Sequence, residues 1–425
     1  MKFKFGLFIF WGLFSFFNFS TTPIIYSVGG ATYIEDKVSF LISDKVSERD
    51  LILSIIKDDF SFYEDEVRVN FLSSEEEFKK SIEGTFLVNI SMNKTKKIEL
   101  EISKKGSLGS LLKKEIHFKD YRDKRSTIHE IAELVFQEVK GRSAIFKSKI
   151  VFSGEVDESV GSQRKELFIC DFDGENVEQL TFHQSNVISP SFSFDKKKIV
   201  YSVIESKKGI KNINLYIYNL EDRSQKLISS FRGINSGAVF MRDNNHILLT
   251  LSYQGNAEIY KLNVHDKSLY KITNHYSDDV DPMVSFDGKD LLFVSGRSGK
   301  AHIYQMSLAK PEVNVKRITY VGLVNATPRY SPVREEAVFA SWVDNNFDLF
   351  RVDLNGNQIV RLTKDFGNNE NPTFSPDGKF ILFSSERVLS KSKVRRRLMI
   401  INRDGEVVKE LSKITPNAYT PWWSL

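Results

Sequence analysis

Asn371-Pro372-Thr373-Phe374-Ser375-Pro376-Asp377-Gly378-Lys379, running on into Phe380-Ile381-Leu382-Phe383-Ser384-Ser385, reads as strand, tight turn, strand. The alternating run enters through Pro372, reverses on Asp377-Gly378, a pair suited to a type I′ turn, and leaves through β-prone residues. A lone hairpin buries too little apolar surface to be stable. Its partners are further copies of itself. The entry proline recurs as Pro190, Pro282, Pro328 and Pro421, with Ala238 at the same place in one copy. The intervals from Pro190 through Ala238, Pro282, Pro328 and Pro372 to Pro421 are 48, 44, 46, 44 and 49 residues.

Two further markers keep that phase. One is Leu167-Phe168, Leu215-Tyr216, Ile259-Tyr260, Ile303-Tyr304, Leu349-Phe350 and Leu398-Met399. The other closes each unit: Leu180-Thr181, Leu227-Ile228, Ile272-Thr273, Ile318-Thr319, Leu362-Thr363 and Leu411-Ser412. Three markers in fixed order at this period fit a four-stranded propeller blade; ankyrin or tetratricopeptide repeats would be shorter and would show helical spacing. Lys149 to Ser153 matches a second strand lacking a first, and Pro421-Trp422-Trp423-Ser424-Leu425 matches a first strand lacking the rest. The expected fold is therefore mainly β: a six-bladed propeller over 146–425, closed by its C-terminal strand, which leaves no open sheet edge. The Asp-Gly pair survives only at Asp287-Gly288 and Asp377-Gly378. Asp195-Lys196 and Arg334-Glu335 imply another turn type or a longer loop.

At 425 residues the chain has room for two or three domains. Its 34 phenylalanines and 12% aromatic content argue against disorder, and a net charge of +5 is too small to suggest a nucleic-acid binder. Residues 1–22 stand apart: Lys2 and Lys4 precede an almost wholly apolar run from Phe5 to Phe17. Such a run, about 15 helical residues, reaches roughly 22 Å, short of a hydrocarbon core about 30 Å thick. A cleaved export signal is expected, and its loss would lower the charge from +5 to +3 by removing two lysines. Cys170, the single cysteine, lies in a strand and reads as a buried structural thiol.

Residues 23–145 carry no repeat and read as a small α/β domain with an N-terminal arm. Amphipathic helices are expected over Ser47–Phe60 and Thr127–Lys140, the second with Ile128, Ile131, Leu134, Val135 and Val139 as its apolar stripe and Gly141 after its end. Thr85–Ile90 and Lys97–Ile102 alternate as strands.

With these parts in order, the chain resembles the TolB family of periplasmic propeller proteins over nearly its whole length. The similarity is most specific at HEIAELVFQEVKGRSAIFKSKIVFSGE (residues 129–155), Phe231 to Ala238, Lys271 to Leu308 and the terminal PWWSL. The resemblance implies a non-enzymatic periplasmic scaffold of the Tol-Pal system. In that family the propeller meets Pal, the peptidoglycan-associated lipoprotein, and the N-terminal arm meets TolA, supporting outer-membrane integrity and envelope constriction in division. Ile24, Ile25, Tyr26 and Val28 would belong to the arm.

No catalytic residue, cofactor site or metal site is expected. The sequence has no G-x-S-x-G elbow and no H-E-x-x-H pair. His183 and His275 share a phase in two blades, but two ligands without a third make a poor metal site. Asp171-Phe172-Asp173-Gly174-Glu175-Asn176 lacks the length and closing Glu of a calcium loop and reads as a turn. The more informative pattern is an Asn or Asp just before each inner strand. Asn235, Asp279, Asp281, Asn325, Thr327 and Asn369 are expected at one mouth of the ring, as a polar collar receiving Pal. The basic run Lys391 to Arg397 interrupts the last unit and reads as a solvated hairpin tip. The rival reading is an exported propeller enzyme, such as a metal-dependent polysaccharide lyase.

Overall fold

The computed structural model describes residues 35–46, 48–92, 97–116, 121–156, 164–207, 210–364, 367–390, 393–411 and 413–425. The export signal, the arm residues Ile24, Ile25, Tyr26 and Val28, Ser47 and Lys391 lie outside them.

The N-terminal α/β domain is one five-stranded sheet under two principal helices. Its strands are β1 (Asp36–Ile42), β2 (Val67–Leu72), β3 (Phe86–Met92), β4 (Ile98–Lys104) and β5 (Ser110–Ile116), in the order β2-β1-β3-β4-β5. Strand β1 runs parallel to both neighbours. Helix α1 (Arg49–Phe60) makes the crossover from β1 to β2, and parallel pairing requires such a connection. A short helix α2 (Glu75–Lys79) precedes β3, and α3 (Tyr121–Lys140) packs beside α1. Ile128, Ile131 and Val135 are fully buried. The helix begins at Tyr121 rather than Thr127, because its first turn carries none of the apolar spacing that marks the rest.

From Lys149 onward the chain forms antiparallel propeller sheets. Four sheets have four strands each, and an eight-stranded sheet joins two further units through the bridge Lys165↔Asn186. One of those units comprises β6 (Lys149–Glu155), β7 (Lys165–Asp171) and β8 (Glu178–Gln179); beside β6 lies the C-terminal strand Ala418–Trp423. Trp422 stands opposite Val151, and Trp423 opposite Ile150.

The entry proline has a physical place in this arrangement. The residue before it, or before Ala238, takes a left-handed conformation in each inner strand: Ser189 (φ 51°), Gly237 (61°), Asp281 (51°), Thr327 (49°), Asn371 (54°) and Thr420 (42°). The pairing register slips at the same points, for example between Val280 and Met283 and between Tyr419 and Trp422. Each is a β-bulge on an edge strand, where a residue without an N–H costs no ladder bond.

The closing Thr is a lock. The Oγ1 atoms of Thr181, Thr273, Thr319 and Thr363 accept the backbone N–H of Leu167, Ile259, Ile303 and Leu349 at 2.9–3.0 Å.

The hairpin turns differ from the type I′ expected. Gly378 N–H donates to Ser375 O at 2.9 Å, and Gly378 has φ 69° while Asp377 stays outside the left-handed region. This is a type I turn followed by one left-handed residue. Only one position needs positive φ, so Lys196 (61°) and Asn244 (54°) fill it where glycine is absent.

Candidate docking rim and inner cavity

In an antiparallel four-stranded unit, the turns joining strands one to two and three to four lie at one end. The remaining connections lie at the other. The α/β domain occupies the first end. Tyr63 bonds Asp377 in a one-to-two turn, and the Phe62 ring lies 5.3 Å from Phe172 in a three-to-four turn. The loops that lead from a fourth strand into the next inner strand therefore form a rim on the face away from that domain.

Asn235, Asp279, Asn325 and Asn369 sit where these loops enter the inner strands, and all four are fully buried. Their side chains turn inward and fasten the loops. Asn235 Nδ2 donates to Phe231 O at 2.6 Å while its Oδ1 accepts from Ser229 Oγ at 2.6 Å and Phe231 N–H at 3.1 Å. Asn325 Nδ2 donates to Val321 O at 2.9 Å and Ser341 Oγ at 2.8 Å. Asn369 Oδ1 accepts from Ser385 Oγ at 2.8 Å, and Asp279 Oδ2 accepts from Arg297 at 2.7 Å. The expected polar collar is thus corrected in one respect: these four side chains present nothing to solvent, because loop backbone groups hold Asn235 and Asn325 while neighbouring side chains hold Asp279 and Asn369.

What the rim exposes is aromatic. Tyr276, Phe182 and Tyr320 are 83%, 72% and 67% exposed, and Phe231 and Leu323 are also exposed in the same class of loop. These side chains stand on loops of different units along one face, and exposed apolar surface of that kind is a candidate interaction surface. Sequence reasoning missed them although a signal was available: Phe182 and Tyr320 directly follow the closing Thr181 and Thr319.

Below the rim, Asp281 and Thr327 line an inner cavity of about 30 Å³, together with Ser189, Gly237, Asn371 and Thr420. That space admits about one water. Arg329 also faces it, its guanidinium 4.7 Å from the Trp422 ring. Burial pushes the Arg329 pKa down to about 10, opposed by the Asp281 carboxylate. Burial likewise pushes Asp281 up, opposed by Arg329 and by the Thr327 N–H. The cavity can hold a small polar group between opposite charges.

His183 and His275 have separate neighbours: His183 Nε2 lies 3.1 Å from Tyr201 Oη, and His275 Nδ1 accepts the Ser277 N–H at 3.1 Å. The basic run is partly tied inward. Arg396 pairs with Glu370 at 3.4 Å and with Glu386, and Arg397 donates to the carbonyls of Thr415 and Pro416.

A family model described as the TolB beta propeller domain matches residues 136–425. The chain belongs to the TolB family. The Tol-Pal system protein TolB of Helicobacter pylori strain 26695 is 30% identical over 172 residues, which are 39% of this chain and 40% of the relative. That of strain J99 is 30% identical over 181 residues, 41% and 42% of the two chains. The alignment thus spans less than half the length of these curated TolB relatives. The crystal structure of TolB from Acinetobacter baumannii superposes with a TM-score of 0.73 at 20% identity, covering 92% of this chain and 96% of that one. The mainly β propeller with an N-terminal α/β domain is therefore the TolB fold. Among the described residues, no helix is long and apolar enough to cross a membrane.

Proposed function

We propose that this TolB-family chain is a non-enzymatic periplasmic scaffold of the Tol-Pal system. Its propeller rim receives Pal, while the arm around Ile24, Ile25, Tyr26 and Val28 meets TolA. The role is to support outer-membrane integrity and envelope constriction during division. The parts are an export signal (1–22), an α/β domain with its arm (23–145) and a six-bladed ring (146–425) closed by the C-terminal strand. The pairing of Trp422 with Val151 supports that closure. The basic start and apolar run of residues 2–17 support export.

The observation that carries the reading is the exposed aromatic rim on the face opposite the α/β domain. Rigid aromatics on fixed loops give large contact area at low entropic cost. Asn235, Asp279, Asn325 and Asn369 serve the surface by holding its loops in shape, and Asp281 and Thr327 by lining the cavity beneath it. The partners come from the family, whose relatives bear the name Tol-Pal system protein.

The test uses purified, lipid-free Pal and the soluble part of TolA from the same organism. A saturable one-to-one complex with Pal is expected, and deleting residues 23–34 should abolish TolA binding while leaving Pal binding intact. Failure of Pal to bind the full mature chain would overturn the reading.

A further inference from the structure

Where the α/β domain meets the propeller, the fold buries His129 among three carboxylates. His129 lies on α3, Asp59 at the end of α1, and Asp171 and Asp173 at the end of β7 and in the turn after it. All four residues are buried. One ligand atom each from Asp59, His129 and Asp173 lies within 4.8 Å of the others.

Asp59 Oδ2 is 2.8 Å from His129 Nδ1. A carboxylate there accepts the Nδ1–H, and in the neutral ring Nε2 then carries the lone pair. That nitrogen points at Asp171 Oδ2, 3.8 Å away, and Asp173 Oδ2, 3.9 Å away. Neither distance is a hydrogen bond, and Nε2 has no hydrogen-bond partner among the described residues. A buried lone pair facing two anionic oxygens is unfavourable unless a positive charge lies between them. Arg125 pairs with Asp173, and Lys149 and Asn176 with Asp171, so these groups approach the carboxylates and leave Nε2 unserved. With Arg125 and Lys149 as the other cations, the three carboxylates call for one further positive charge at Nε2, a proton or a metal ion, and titration with zinc distinguishes the two.

A ring whose Nδ1–H is held by a carboxylate while Nε2 faces further oxygen ligands is the usual arrangement of a metal-bound histidine. We propose that this pocket binds one divalent first-row metal ion through His129 Nε2 and the carboxylates of Asp171 and Asp173, with Asp59 orienting the ring. Imidazole and carboxylate together suit zinc and its neighbours rather than calcium. The ion would staple α3 to the first propeller unit and fix the two domains relative to each other. This goes beyond the docking reading and is independent of it.

The test is zinc binding by the full mature chain. Isothermal titration of chelator-treated protein with zinc sulfate should show one equivalent per chain, and melting temperature should fall in chelator and recover with zinc. Asp59→Asn should weaken zinc binding about 10- to 100-fold without changing the circular dichroism spectrum, as loss of an outer-shell carboxylate does. His129→Gln should abolish one-to-one uptake; Asp173→Asn, isosteric, serves the same end if that variant does not fold. Absence of saturable one-to-one uptake by the wild-type chain would overturn the proposal. So would uptake unaffected by Asp173→Asn or His129→Gln, since the ion would then sit elsewhere.

Discussion

Tyr63 Oη donates to Asp377 Oδ2 at 2.6 Å, joining the α/β domain to the hairpin turn of a propeller unit 314 residues later in the chain. Both side chains are buried, and burial and the adjacent carboxylate push the tyrosine pKa up, so the phenol stays the donor. The same turn whose Asp-Gly pair marks the repeat in the sequence is thus also a domain contact.

Tyr63→Phe keeps the ring against Phe136, 4.5 Å away between centroids, but leaves Asp377 short of a donor. A loss of about 1–3 kcal/mol is expected, the usual cost of stranding a buried acceptor. Urea unfolding of the two proteins, with unchanged slope, measures it.

Trp423 is fully buried and donates from Nε1 to Ser148 Oγ at 2.8 Å, so the end of the chain grips the start of the propeller. Trp423→Ala should cost about 3–5 kcal/mol, as for other buried aromatic truncations. Removing residues 418–425 should do more. It bares the edge of β6, and light scattering should then detect self-association.

The left-handed positions before the entry prolines and before Ala238 predict an asymmetry. Gly237→Val should destabilise by about 1–3 kcal/mol, because a side chain is forced into positive φ and its Cβ would sit 3.3 Å from Asp281 Oδ1. Thr327→Gly should be neutral or mildly stabilising by thermal melting. Thr327 carries the same strain at φ 49°, and its Oγ1 has no hydrogen-bond partner among the described residues.

Glu133, buried on α3, has its pKa raised chiefly by burial, with the Ala144 N–H opposing at 2.9 Å. A carboxyl whose folded pKa exceeds the unfolded one adds stability below the unfolded value and loses it as pH rises through the folded one. Glu133→Gln removes that titration. The variant should therefore gain on the wild type as pH rises from the ordinary carboxylate range, and the gain should vanish below it. Unfolding free energies across that range check the sign.

Much of the propeller was legible because it repeats. Pro190, Pro282, Pro328, Pro372 and Pro421 mark the inner-strand bulges, and the Leu-Thr and Ile-Thr pairs mark the locks that close units. The α/β domain was half legible. Helix α3 shows its stripe and β3 and β4 alternate, but β1 and β2 pair in parallel across a helix and carry no turn signature. The turn type was misread because Asp-Gly serves both a type I′ turn and a type I turn with one left-handed residue. The rim was misread for a reason of accounting. Asn235 and Asn325 are polar and precede strands, yet the loops consume their hydrogen bonds, so the exposed surface falls to Phe182, Tyr276 and Tyr320. The cluster of Asp59, His129, Asp171 and Asp173 draws on segments up to 114 residues apart, which no local pattern reveals.

The measurement that bears most directly on the docking account is the calorimetric affinity of purified Pal for the wild-type chain and for Phe182→Ser/Tyr276→Ser/Tyr320→Ser. All three side chains are exposed, so the variant should keep the melting temperature of the parent. If the rim receives Pal, the dissociation constant should rise at least about 30-fold, the effect of losing one interface hot spot of about 2 kcal/mol. An unchanged dissociation constant with an intact fold would contradict the account.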